Sequence, residues 1–234
     1  MKRSIIGRVL AGIVVLGLLG AACSTGNDAG SSDAATPSGA PASMTSVALD
    51  EGAIALQQGL TSLLDGHVYL ASIAISTGLA TGLDSPEFEA AAATLDRNSQ
   101  DLADAIGSVY GKDAGTQFLK LWRAHIGMFV DYTEGKATGN EKQAKQALAN
   151  LDGYRKDFGA FIDSATDGNL PADAVASSLQ MHVNSLVQAI DQAVAGDPMV
   201  FDSIYVAAKD HMPMTASALA GGIAAQMPEE FPTA

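Results

Sequence analysis

Cysteine is almost missing from this chain: Cys23 is the only one in 234 residues. A single thiol excludes an internal disulfide framework, a cysteine-based zinc site and a cysteine-held iron–sulfur cluster. Cationic side chains are also scarce, 13 Lys+Arg against 26 Asp+Glu, for a formal net charge of -13. Nucleic-acid binding rests on Lys and Arg neutralising phosphates, so this balance speaks against it. No stretch alternates Val, Ile or Thr between turn signals, and strands are not expected. What is present is apolar: 47% hydrophobic with 17% charged residues, enough to build a core and too much for a disordered chain.

The first 22 residues read as an export signal. Lys2, Arg3 and Arg8 form a positive start, and residues 9–22 are an apolar run too short for a comfortable membrane span. The run ends Leu19-Gly20-Ala21-Ala22-Cys23, which resembles a bacterial lipobox with the aliphatic residue four places before the Cys instead of three. Lipidation of Cys23 is the expectation, and it accounts for a lone thiol in an exported protein. Cleavage before Cys23 removes three cations and no acid, leaving 13 - 3 = 10 positive and 26 negative groups, net -16. Attachment to the cell membrane, on its extracytoplasmic side, then comes from the lipid and not from charge. Residues 23–46 are rich in Gly, Ser, Ala and Pro and read as a flexible tether reaching about 25–30 Å.

From residue 47 to 228 the pattern is helical. Gly, Pro and Asn clusters near 82–86, 111–114, 136–140, 168–171 and 196–198 break it. Ser85-Pro86 and Asp197-Pro198 place a capping residue before a proline, as at a helix start. Six helices follow, near 47–81, 85–109, 112–135, 140–166, 171–195 and 198–226. Their short connections predict an all-α, up-down antiparallel bundle. An internal echo divides it into three αα-hairpins. Leu95-Asp96, Asp101-Leu102 and Ile106 match Leu151-Asp152, Asp157-Phe158 and Ile162 at an offset of 56. His67, His125 and His182 recur at 58 and 57.

The four histidines carry the functional signal. His125 shares a helical face with Phe118, Trp122, Phe129 and Tyr132, and His67 lies among Leu60, Leu63, Leu64 and Ala71. His182 follows Val175 and Leu179, and His211 lies between Ile204, Ala208 and Met214, so all four are expected to point inward. Two readings follow. Each histidine is a core residue bonded to a carbonyl or to an Asp such as Asp65 or Asp210. Or the equivalent histidines converge on a transition metal or a non-covalent haem. Met128, Met181, Met212 and Met214 lie close to them in sequence, and thioether with imidazole suits copper first and zinc next. Pro213 is expected to kink the last helix beside His211.

Other chemistries lack their residues. None of the seven Glu is followed by His at the Glu-x-x-His spacing of a di-iron bundle. The chain has no Cys-x-x-Cys-His for covalent haem, no Gly-x-Ser-x-Gly, no phosphate-binding glycine loop and no His-Glu-x-x-His. No acid–base pair stands out, and an enzyme is not expected.

The stretch from His67 to Leu79, Val109-Tyr110-Gly111-Lys112 with Leu121-Trp122-Arg123-Ala124-His125-Ile126, Leu179-Gln180-Met181-His182-Val183, and Ala208-Lys209-Asp210-His211-Met212-Pro213-Met214 together resemble a family of bacterial, all-helical, His-bearing exported lipoproteins. The resemblance spans roughly residues 55–228 and implies the helical architecture and the placing of His67, His125 and His182. It carries no activity. Where the family has Arg or Thr after the first His, this chain has Ala71 and Ser72, so no polar role transfers there. The expectation is a lipid-anchored binding protein holding copper, zinc or haem, with a metal or protein partner at the cell surface. The alternative is a structural or interaction lipoprotein whose histidines fill the core.

Overall fold

Ser85 shows how local chemistry starts these helices. Its hydroxyl accepts the Phe88 amide at 3.1 Å, and Pro86 occupies the first turn, where its missing N–H leaves no bond unmade. Asn140 caps the fourth helix in the same way, accepting the Gln143 amide at 3.2 Å. Gly196, at φ 70°, closes the fifth in the left-handed conformation that a side chain resists. In a computed structural model, which describes residues 51–231, these signals bound α1 (Glu51–Thr81), α2 (Pro86–Tyr110), α3 (Lys112–Ala137), α4 (Glu141–Ala165) and α5 (Ala172–Ala195). The chain ends in α6 (Val200–Val206), a π-helical turn (Ala207–His211) and α7 (Met212–Gln226). The export signal, the tether, Cys23 and residues 47–50 lie outside the described residues.

The protein is an all-α bundle, and the described residues contain no strand. Each helix packs on the next, α7 returns to α1, and α1, α3 and α5 also approach one another. The first helices of the three hairpins therefore face one another inside the molecule. Their buried stripes explain why. α3 buries Phe118, Trp122, His125, Phe129 and Tyr132, and α1 buries Leu60, Leu64, His67, Val68, Ala71 and Ala74. Each large apolar side chain so placed contributes about 1.5–3 kcal/mol. α1 is long and apolar enough to cross a membrane by length and composition, as core helices also are, and here it packs against α2 and α7.

The last helix differs from the sequence expectation in detail. It begins at Val200 and not at 198, because the Asp197 carboxylate accepts the Met199 amide at 2.9 Å and holds a turn there. The kink expected at Pro213 takes the form of the π-helical turn just before it. Pro213 has no N–H for the carbonyl four residues back, and the wider turn accommodates that loss. Lys209, within the turn, pairs with Asp65 of α1 and ties it to the bundle.

Close helix contact makes some glycines obligatory. A Cβ on Gly135 would lie 2.6 Å from the Ala144 nitrogen and 3.1 Å from its Cα, against α4 backbone that cannot swing aside. A Cβ on Gly127, in the same helix, would meet nothing within 4 Å. Gly135→Ala is expected to cost about 1–3 kcal/mol, whereas Gly127→Ala is neutral or stabilising by up to about 1 kcal/mol. Paired thermal melts read the difference, and equal melting temperatures would contradict this packing.

Candidate functional site

Where α1, α3 and α5 meet, His67, His125 and His182 come together, 1%, 3% and 7% exposed. The His67 ring centroid lies 5.4 Å from that of His125 and 6.4 Å from that of His182, so His67 is the hub. Trp122 packs beside this pair at 4.8 Å from His67 and 4.6 Å from His125. Tyr154, from α4, stacks on His125 at 5.0 Å and 22°. Equal spacing along three helices that run the same way puts the histidines at one level of the bundle, because each is one hairpin further along the chain.

Their polar atoms are not accounted for by the protein. The Nδ1 atoms of all three histidines, Trp122 Nε1 and the Tyr154 hydroxyl are buried without a hydrogen-bond partner. The carboxylates expected as partners do not bond to the histidines: Asp65 pairs with Lys209 through Oδ2 while its Oδ1 is buried without a partner, and Asp210 is exposed. Buried polar groups in folded proteins are nearly always satisfied by protein or ordered water, and five of the eight unpartnered buried side-chain atoms among the described residues fall in this cluster.

Burial also sets the charge. Desolvation, helped by the neighbouring His182, pushes His67 down to about 3. Desolvation and then His211 push His182 down to about 4. His125 is lowered well below its usual value by desolvation and then by His67 and His182, with the Trp122 carbonyl pulling weakly the other way. All three are neutral imidazoles at neutral pH, the form that binds metals.

Two small cavities border the cluster. One, about 60 Å³, reaches from His67 and His125 toward Ala193, Val200 and Ile204. The other, about 40 Å³, is bordered by His125, His182, Trp122, Tyr154, Met212 and Thr215. Among the described residues no charged side chain lines either one. A haem has no room in spaces of this size, with aromatic rings already against the histidines. Nor do the described residues contain a group of three or more His, Cys, Asp or Glu side chains placed so that they could hold a metal ion.

The structure sorts the remaining sequence candidates. Met212 is 3% exposed and borders the smaller cavity with His182. Met128 is half-buried and packs on the core, bordering neither cavity. Met181 and Met214, at 50% and 55% exposed, lie outside the buried cluster. Met181 precedes an inward His182, and one residue turns about 100° around a helix. His211, expected inward, is half-buried, its Nδ1 3.4 Å from Ser185 Oγ. Tyr154 was not singled out from the sequence, although a signal existed. The offset of 56 that relates the second helices pairs it with Asn98, which is also buried and also has an unpartnered oxygen.

No protein-family model matches the chain, and neither a curated protein nor a solved structure is significantly similar to it.

Proposed function

We propose that this chain is a lipid-anchored extracytoplasmic binding protein, not an enzyme, that holds one Cu(I) ion at His67, His125 and His182. The observation that carries the reading is the meeting of three neutral, buried imidazoles with unpartnered nitrogens. A ligating nitrogen sits about 2.0–2.1 Å from its metal, so two rings sharing an ion have centroids no more than about 6.5 Å apart. His67 and His125, at 5.4 Å, meet that limit with room, and His67 and His182, at 6.4 Å, meet it only with the ion on the line between the two rings. Cu(I) accepts two or three ligands, so a pair of imidazoles with the Met212 thioether suffices and a closed triad is not required.

Charge selects among metals. A dication in a cavity without a carboxylate bears a far larger desolvation cost than a monocation. Soft thioether and imidazole donors favour Cu(I) further, which places zinc second. Support for the membrane anchor is the Leu19-Gly20-Ala21-Ala22-Cys23 sequence. The open arrangement of the trio favours the second reading, a structural or interaction lipoprotein with core histidines and no cofactor.

The test is anaerobic Cu(I) loading of the full chain in detergent, without an affinity tag, followed by elemental analysis. About one copper per chain is expected, held less tightly in His125→Ala and in His182→Ala and falling to background in the double variant, while far-ultraviolet circular dichroism keeps its helical signal. Wild-type protein holding no copper would leave the second reading standing.

A further inference from the structure

Five alanines border a void inside the bundle. Ala71 and Ala74 of α1, Ala92 of α2, and Ala189 and Ala193 of α5 line the larger cavity, about 60 Å³, which longer side chains would have filled. Protein interiors pack as densely as organic crystals and hold few voids larger than a water molecule, so small residues from three helices around one space mark it out. Its inner end carries a second, independent feature. His67 and His125, 1% and 3% exposed, border the cavity there, and the Nδ1 of each is buried without a partner.

Size and polarity choose the occupant. An apolar protein cavity of about 150 Å³ stays dry and admits benzene or xenon. This one, at less than half that volume, has room for xenon or a molecule of about two or three heavy atoms, and not for an aromatic ring. An anion would find no cation, since both imidazoles are neutral at neutral pH and no Lys or Arg lines the space. The serines on the wall are turned away from its interior: Ser76 is exposed, and Ser72 donates to the Val68 carbonyl at 2.8 Å. Water needs about two to four polar partners and is left with the two histidines, whereas a small apolar molecule needs none. At the outer end Val200 and Ile204 of α6 close the cavity, although that helix buries none of its seven residues. A wall so lightly packed opens locally with ease and gives a small ligand its way in.

We propose that this cavity binds a diatomic gas, of the size and low polarity of dioxygen, nitric oxide or carbon monoxide, held against His67 and His125. Binding is non-covalent, and no electron or proton moves. Xenon, similar in size and without chemistry of its own, is the probe. The site needs no metal, so it stands or falls separately from the copper reading.

The experiment uses the metal-free full chain in detergent, labelled with ¹³C at the isoleucine methyl groups, under rising xenon pressure. The methyl shifts of Ile75, Ile190 and Ile204 are expected to follow a saturating curve. Those of Ile162 and Ile223, buried but bordering neither cavity, should drift linearly. Dioxygen at matched pressure, being paramagnetic, should broaden the first set more than the second. Ala193→Leu fills the outer part of the cavity and should abolish the saturation. Ala92→Leu does the same from α2, and circular dichroism shows whether each variant is folded. Equal, linear responses of the two sets overturn the proposal, as does saturation kept in a folded filling variant. Nuclear Overhauser contacts from water to the Ile190 methyls that persist under xenon would show a water-filled cavity and overturn it too.

Discussion

Acidification from pH 7 to pH 5 should cost this bundle stability far more steeply than its surface carboxylates explain. His67 and His182 have folded values near 3 and 4, and His125 is lowered as well, against 6.5 in the unfolded chain. The unfolded state therefore binds more protons than the folded one between those limits, and stability rises with pH there. The contribution is complete above about pH 6.5 and is lost as pH falls toward 4. Each histidine contributes a slope of at most about 1.4 kcal/mol per pH unit, so three together approach about 4. The carboxylates whose values are lowered by ion pairs, Asp96 and Asp152, act at lower pH because their ordinary value is already 3.8. Chemical denaturation at pH 7, 6 and 5, followed by circular dichroism, reads the slope. His67→Leu should flatten it by at least a third, since His67 also lowers His125. Equal stability at pH 5 and 7 would show that the imidazoles are not buried as described.

Trp122→Ala should be the most damaging single truncation beside the site. Trp122 is 6% exposed, stacks on Phe118 at 5.1 Å and contacts both His67 and His125. Removing a buried indole costs about 3–5 kcal/mol in transfer and cavity terms. In a domain of this size that lowers the melting temperature by on the order of 10 °C. Trp122→Phe should be much milder, because it keeps an aromatic ring and deletes an indole N–H that has no partner. A melt of Trp122→Ala indistinguishable from wild type would refute the packing. Trp122 is the chain's one tryptophan, so its fluorescence reports the state of the histidine cluster in every experiment above.

The helices were legible because their limits are written in neighbouring residues. Ser85-Pro86 and Gly196 act within one turn of themselves, and the structure places helix ends within a few residues of them. The stripe of Phe118, Trp122, His125 and Phe129 is likewise a property of spacing along one helix. The π-helical turn was less legible: Pro213 announces a disturbance, but neither which residues absorb it nor the pairing of Lys209 in that turn with Asp65, 144 residues away, is written in the neighbouring residues.

Site membership followed the same division. That His67, His125 and His182 face inward was decided by periodicity, and that they recur at one level was decided by the hairpin repeat. Local order therefore determined the bundle, its three hairpins and the burial of these imidazoles. Tertiary structure alone decided their neighbours. It brought Tyr154 onto His125, buried Met212 beside His182, and engaged Asp65 with Lys209. The physical reason is that sequence spacing specifies an angle around a helix axis. Which helix occupies that angle, and at what height, is set by how closely the helices approach, as Gly135 against Ala144 illustrates.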